Sequence, residues 1–179
     1  PSKPELNYYL ADALTQSGEI GKAIDAYDAL EASIGMNEAL SLQKYKLYNS
    51  LNETDKAFKE MEKLAEKFPL EARYKIMIGD LYLEKNDTVK ALAFYKHAYA
   101  VDPANPYYTV SMANYYEAVG NKEAAETQIR SALINKELDV DTKVGILSRY
   151  IMRLQQSQKG TDSANDLFKT LIEHHPEET

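Results

Sequence analysis

The sequence predicts an all-α protein built from repeated pairs of helices, and three regularities support this fold class. Alanine recurs every 34 residues, at Ala23, Ala57, Ala91 and Ala125. Tyrosine recurs at the same interval, at Tyr48, Tyr82, Tyr116 and Tyr150. Pro69 and Pro103 are also 34 residues apart. A fixed period of this length is typical of stacked repeats, in which each unit covers the apolar face of its neighbour.

One period contains two helices. Within residues 72–105 the apolar residues follow helical spacing in two runs. Asn86-Asp87-Thr88 separates the runs, and we expect Thr88 to cap the second helix. Asp102-Pro103 ends that helix, because proline disfavours helical geometry in the residue before it.

The residues in these columns resemble the tetratricopeptide repeat (TPR) family over essentially the whole chain. The third repeat shows Ile78-Gly79-x-x-Tyr82 followed by Ala91-x-x-x-Tyr95 and Pro103. The family's leading aromatic residue is absent from this chain. The resemblance implies a right-handed superhelical α-solenoid of five helix-turn-helix repeats, in one domain over residues 1–179. The expected repeat bounds are about 4–37, 38–71, 72–105, 106–139 and 140–178.

The fifth repeat departs from the period. Its alanine is Ala164, five residues later than the column requires. We therefore expect a first helix lengthened beyond Tyr150, through Leu154, to end near Lys159-Gly160, with Thr161 or Asp162 capping the next helix. The lengthened helix either carries a local contact to a partner or is a drifted repeat, and the second interpretation is favoured.

Small and aromatic residues are predicted to divide the core between them. Small side chains in the alanine column allow the two helices of a pair to approach closely. Tyrosine is abundant, at 14 residues, and its ring fills larger gaps while its hydroxyl reaches the edge of the core. The tyrosines predicted to be core rather than ligand contacts are Tyr27, Tyr48, Tyr82, Tyr95, Tyr116 and Tyr150.

Composition excludes several kinds of function. The 21 Lys and Arg against 28 Asp and Glu give a net charge of −7 with no basic cluster, which argues against nucleic acid as a partner. Apolar stretches are too short for membrane insertion. The chain has no cysteine, and its three histidines have no ligand spacing, so we predict no enzyme, no cofactor and no metal site. The residues from Glu60 to Glu66 alternate acid with lysine and are interpreted as a solvated helix face.

The resemblance implies a protein–protein interaction scaffold, in which the first helices of successive repeats line a concave groove for a peptide or partner helix. The expected partner-binding residues are Tyr8, Asp12, Lys46, Asn49, Arg73, Asp80, Tyr107 and Asn114. In the fifth repeat the same columns give Val144, Ser148 and Ile151. The cationic clamp that some family members use for acidic chaperone tails is absent from the corresponding positions, so a chaperone co-factor role is disfavoured.

The alternative hypothesis is a structural spacer or a module that self-associates through its end repeats, within a larger multi-domain protein or lipoprotein. Pro1 lies 68 residues before Pro69, in the repeat-ending proline column. We therefore expect a segment excised from a longer, bacterial-type repeat protein. The sequence does not indicate a compartment.

Overall fold

The computed structural model describes residues 4–156 and 162–174, which form ten helices and no strand. The all-α prediction is confirmed. The helices are α1 Pro4–Gln16, α2 Ile20–Ile34, α3 Glu38–Ser50, α4 Thr54–Lys67, α5 Ala72–Glu84, α6 Thr88–Val101, α7 Pro106–Ala118, α8 Lys122–Ile134, α9 Val140–Gln156 and α10 Asp162–His174. Within these ranges, no helix combines the length and the apolar character that crossing a bilayer requires.

The chain divides after Pro69 into two compact units. In the first unit α1 packs on α2, α3 packs on α4, and α2 also contacts α3. In the second unit the pairs are α5 with α6, α7 with α8 and α9 with α10, and neighbouring pairs contact each other. One continuous domain over residues 1–179 stays a prediction.

The turn inside each pair is built the same way four times. One residue per turn has a positive φ, and these residues are 34 positions apart: Gly18 (80°), Asn52 (58°), Asn86 (60°) and Gly120 (78°). The amide of the residue that follows donates to the carbonyl oxygen five positions earlier, with N···O distances between 2.8 and 2.9 Å. The accepting carbonyls belong to Leu14, Tyr48, Tyr82 and Tyr116. This arrangement satisfies carbonyls that the end of the first helix would otherwise leave unpaired, and it reverses the chain into the second helix.

The residue that caps α6 differs from the prediction. Asp87 accepts a hydrogen bond from the Lys90 amide at 3.1 Å, and Thr88 is the first residue of the helix. The prediction that Thr88 caps this helix is wrong. A carboxylate at this position also interacts favourably with the positive end of the helix dipole.

The alanine column is completely enclosed, since Ala23, Ala57, Ala91 and Ala125 are at most 1% exposed. The tyrosine prediction holds only in part. Tyr27, Tyr95 and Tyr150 are buried. The tyrosines that lie at the edge of the core, half-buried, are Tyr48, Tyr82 and Tyr116.

The predicted lengthening of the fifth repeat is present in α9, which has 17 residues against 13 in α7. Leu154 packs against the core of the second unit, and Arg153 forms an ion pair with Glu117 of α7. The extension therefore contacts its own unit. The predicted end at Lys159-Gly160 and a cap at Thr161 lie outside the described residues, as does the side chain of Asp162.

A lysine lies at the centre of the first unit. The Lys44 side chain is fully buried on α3, and its ammonium group contacts three carboxylates. The distances are 3.0 Å to Asp28, 2.6 Å to Glu31 and 3.2 Å to Glu60. Glu60 is itself only 4% exposed and also binds Lys63 at 2.9 Å. The interpretation of the Glu60 segment as a solvated face is therefore wrong at Glu60.

The charge of Lys44 survives burial because of these partners. Desolvation alone would lower the pKa of Lys44, but hydrogen bonds to Glu31 and Asp28 and the charge of Glu60 outweigh it. The pKa therefore lies above the ordinary value for lysine. The ammonium group joins α2, α3 and α4 through one buried cation.

We expect Lys44→Met to destabilise the protein by about 3–5 kcal/mol, because Glu31 and Glu60 lose their buried cation and keep only the partly exposed Lys63. Urea unfolding followed by circular dichroism would measure the loss. Lys46→Met, two residues along the same helix but exposed, is the matched control and should change stability by less than about 0.5 kcal/mol. Equal effects of the two substitutions would contradict the role assigned to Lys44.

Candidate peptide-binding groove

A groove of about 720 Å³ opens on the second unit. The first helices of its three successive pairs, α5, α7 and α9, supply all the lining residues. These are Arg73, Ile76, Met77, Asp80, Tyr107, Val110, Ser111, Asn114, Asp141, Thr142, Gly145 and Arg149. We call this surface the α5–α7–α9 groove.

The lining combines charge, aromatic surface and aliphatic surface. Arg73 is exposed, and its Nε lies 3.3 Å from a Glu71 oxygen while its guanidinium stacks 4.8 Å over the Tyr74 ring. These contacts orient the arginine. Tyr107 is 50% exposed, and its backbone amide is fixed by the Asn105 side chain at 3.2 Å. Large exposed aromatic and arginine side chains are the types that dominate the binding energy at interfaces.

Asp80 lies in the wall of the groove on α5, with its carboxylate held by two hydroxyl groups. The Tyr95 hydroxyl donates to Oδ1 at 2.8 Å, and the Ser111 hydroxyl donates to Oδ2 at 3.1 Å. Desolvation raises the pKa of Asp80 above its ordinary value, and the two hydrogen bonds oppose that rise. Burial also raises the pKa of Tyr95, helped by the negative charge of Asp80.

Gly79 explains how Tyr95 reaches Asp80. A Cβ atom at position 79 would lie 2.4 Å from a carbon of the Tyr95 ring, which is far inside van der Waals contact. The ring therefore occupies the space that any larger residue would take. Tyr95 is fully buried, so the ring has little freedom to move aside.

The structure brings together half of the sequence-predicted contacts. Arg73, Asp80, Tyr107 and Asn114 all line the α5–α7–α9 groove. The other four lie in the first unit, and the role of all eight in binding stays a prediction.

Those four residues have different surroundings. Tyr8 lines a smaller cavity of about 290 Å³ together with Leu30 and Leu40. Asp12 is exposed and accepts a hydrogen bond from the Gln16 side chain at 3.0 Å. On α3, Lys46 is exposed and Asn49 is half-buried.

The groove residues of α9 differ from those predicted. Asp141, Thr142, Gly145 and Arg149 line it, whereas Ile151 packs against the core of the unit. The 34-residue period indicates two of these four groove residues, because Asp141 lies one period after Tyr107 and Gly145 lies one period after Ser111. The column of Met77, Ser111 and Gly145 was not assigned to the groove, although all three residues line it.

Clusters of metal-ligating side chains are the other kind of candidate site. Within residues 4–156 and 162–174, no group of three or more His, Cys, Asp or Glu residues is placed to hold a metal ion. His97 is exposed and makes an edge contact with the Phe94 ring at 6.3 Å.

Comparison with known proteins agrees with the repeat architecture. The family model described as "Tetratricopeptide repeat" matches residues 47–106, and the described helices form the paired arrangement that this family implies. The chain resembles the tetratricopeptide repeat family in this segment and in its fold.

Solved TPR structures share the fold. A thermophilic TPR protein from Thermus thermophilus is 15% identical, with a TM-score of 0.67 over 98% of this chain and 93% of that one. A fragment of MamA, beginning at its residue 41, from Desulfovibrio magneticus RS-1 is 18% identical, with a TM-score of 0.59 over 73% of this chain and 74% of that one. Likeness at this level of identity concerns the fold alone.

The sequence is also similar to part of a much longer protein. Cellulose synthase operon protein C of Pseudomonas fluorescens (strain SBW25) is 29% identical over 138 residues, which cover 75% of this chain. The match spans only 11% of the length of that relative.

We expect Gly79→Ala to destabilise the protein by about 1–3 kcal/mol, because the added methyl group overlaps the Tyr95 ring. Gly145→Ala is the matched control in the same unit, since a Cβ there has no heavy atom within 4 Å. The control should stabilise by up to about 1 kcal/mol through higher helix propensity. Thermal unfolding of the two variants should therefore shift in opposite directions, and a shift in the same direction would contradict the close contact.

Proposed function

We propose that this chain is a protein-interaction scaffold that binds a peptide or a partner helix in the α5–α7–α9 groove, without catalysing a reaction. The observation that carries the proposal is the continuity of the lining. Three consecutive first helices place an exposed arginine, an exposed tyrosine and several aliphatic side chains on one surface. Stacked repeats are well suited to this role, because their concave faces extend over many residues of a ligand.

The dimensions of the groove favour an extended segment. Packed helices are about 8–10 Å apart, so three successive first helices span about 20 Å. An extended chain covers about 3.3 Å per residue, and about six residues would cross the groove. Side chains that alternate along such a segment would meet the half-buried apolar Met77 and Val110 on one side and solvent on the other.

The charge of the groove argues for a protein rather than a nucleic acid. Arg73 and Arg149 are balanced in the lining by Asp80 and Asp141. A phosphate backbone requires an excess of cations, whereas a peptide of mixed charge can match both signs.

We expect Tyr107→Ala and Arg73→Glu each to weaken peptide binding by at least about tenfold, because truncating a central interface residue typically costs more than 1 kcal/mol. Ligands would be selected from a displayed library of random 12-residue peptides, and affinities would be measured by fluorescence polarisation. Tyr9→Ala and Lys96→Glu make the same chemical changes at exposed positions outside the groove and should leave affinity unchanged. Failure to select any peptide, or equal effects of groove and control variants, would overturn the proposal.

A second candidate function is self-association of end repeats, and the exposed face of α1 favours it. Leu6, Tyr9 and Leu10 are 60%, 70% and 52% exposed. One period later, the residues equivalent to Leu6 and Leu10 are Leu40 and Lys44, which are at most 3% exposed. The face of α1 therefore corresponds to a face that α3 buries.

The described residues offer a matching face at α10. Phe168 and Ile172 are 50% and 39% exposed. Ala164 of α10 takes the place of Ala125 of α8, so Phe168 and Ile172 correspond to Ile129 and Leu133. Those two residues of α8 are at most 1% exposed. The occupant proposed for the α1 face is therefore α10 of a second copy, which would extend the stack of repeats from one chain into the next. A spacer of this kind fits a module of a larger protein, as the short match to the long relative suggests.

We expect the average mass of the protein to rise above 20.3 kDa with increasing concentration in light scattering, and Leu10→Glu or Phe168→Glu to abolish the rise. Both side chains are exposed, so neither change should unfold the chain. Tyr107→Ala is the control and should associate as the unmodified protein does. A mass of 20.3 kDa at every concentration, or association that survives both charged substitutions, would exclude this candidate.

A further inference from the structure

Within the part of the chain that the structure describes, the carboxylate of Asp80 is hydrogen-bonded by neutral groups alone, and the proposed function does not explain this. Both of its oxygens accept a hydrogen bond from a neutral hydroxyl group, of Tyr95 and of Ser111. Among the residues that the structure describes, no lysine or arginine forms an ion pair with Asp80. A largely desolvated carboxylate without a cation is costly, as the raised pKa of Asp80 shows.

The carboxylate is also held in place. Tyr95 lies on α6 and Ser111 lies on α7, so hydrogen bonds from two other helices of the unit fix the Asp80 carboxylate of α5. The Tyr95 ring is fully buried against Gly79, which prevents the donor from swinging away. Each carboxylate oxygen has a second lone pair, and Asp80 lines the groove, so the carboxylate can accept a further hydrogen bond from a ligand. An acceptor fixed in advance binds a donor with little loss of conformational entropy.

We infer that the peptide bound in the α5–α7–α9 groove places a lysine or arginine side chain on Asp80. The inference rests on the proposed function of the groove and specifies the chemistry of its ligand. A cation of the ligand would replace the water lost by the carboxylate and form charge-assisted hydrogen bonds with it. A neutral ligand residue at the same place would bring no opposite charge to the carboxylate, and an acidic one would repel it.

Two other charges of the groove, Arg73 and Asp141, are compatible with this assignment. Arg73 lies seven residues before Asp80 on α5, which is about 10 Å along the helix axis. That distance is about one Debye length in physiological salt, so an exposed arginine there is largely screened from a cation at Asp80. Arg73 is further neutralised by Glu71 at 3.3 Å. Asp141 is the other acidic residue in the lining, and it is exposed at the start of α9.

The test uses Asp80→Asn in the full chain. An asparagine oxygen can accept from Tyr95, and its amide can donate to the Ser111 oxygen, so the local network is kept while the charge is removed. Asp141→Asn removes the same charge from the same groove and is the matched control. Random 12-residue peptides would be selected against the unmodified protein, and the selected peptides would then be bound to all three proteins.

The expected selection is enriched in lysine or arginine at one position. Replacing that peptide residue with glutamine should weaken binding to the unmodified protein at least tenfold. The same replacement should change binding to the Asp80→Asn variant very little. In Asp141→Asn the same glutamine replacement should still weaken binding at least tenfold, because Asp80 keeps its charge there. Peptides that bind in the groove without a basic residue, or whose basic residue depends on Asp141 instead, would overturn this inference and leave the proposed function standing. Selection of no peptide at all would overturn both.

Discussion

The close approach of the two helices within each pair is the constraint on which the rest of the structure depends. Two helices joined by a short turn bury apolar surface against each other only if small side chains let their backbones approach. The alanine column meets this requirement at four equivalent positions, each completely enclosed. Each pair still leaves an apolar face that only another helix can cover, and stacking within each unit follows from that need. The groove is a consequence, because stacking brings the first helices of successive pairs side by side.

Lys44 shows how this architecture tolerates a polar residue in a buried column. One period before and after it the column contains Leu10 and Ile78, and Met112 and Ile146 continue it. A lysine in such a place would ordinarily be neutral or exposed. Here acidic residues on the two flanking helices surround the ammonium group, so the cost of desolvation is offset by ion pairs from α2 and α4. The buried cation therefore supplies a contact between helix pairs that apolar packing supplies elsewhere.

The fold class was predictable because it depends on a period that no local feature obscures. Left-handed turn residues 34 positions apart and an enclosed alanine column follow directly from the columns in the sequence. Glu60 could not be assigned correctly, because its partner Lys44 lies on another helix and ion pairs between helices leave no periodic signal. The half-burial of Tyr48, Tyr82 and Tyr116 was also missed. Periodicity identifies the position of a residue on a helix, but the exposed fraction depends on how far a neighbouring helix covers that position.

The groove was predictable in its helices and only partly in its residues, and the reason is the rotation of each helix about its axis. Arg73, Tyr107 and Asp141 share one column, and all three line the groove. On α9 Val144 and Ser148 are exposed but lie outside the lining, although the equivalent residues of α5 and α7 line the groove. A column carried over from earlier repeats therefore fails where a helix presents a different face to the groove.

The buried contact between Gly79 and Tyr95 connects the packing constraint to the chemistry of the groove. The missing side chain at position 79 serves helix packing, since it admits the tyrosine ring of the paired helix. The hydroxyl at the end of that ring then donates to Asp80 in the wall of the groove, and the Ser111 hydroxyl of the next repeat donates to the other carboxylate oxygen. Three helices thus meet at one carboxylate, and its position is set by the core rather than by solvent-exposed side chains. A substitution that moves the Tyr95 ring would change the stability of the unit and the geometry of the groove together, whereas removal of the Asp80 charge alone would leave the core in place.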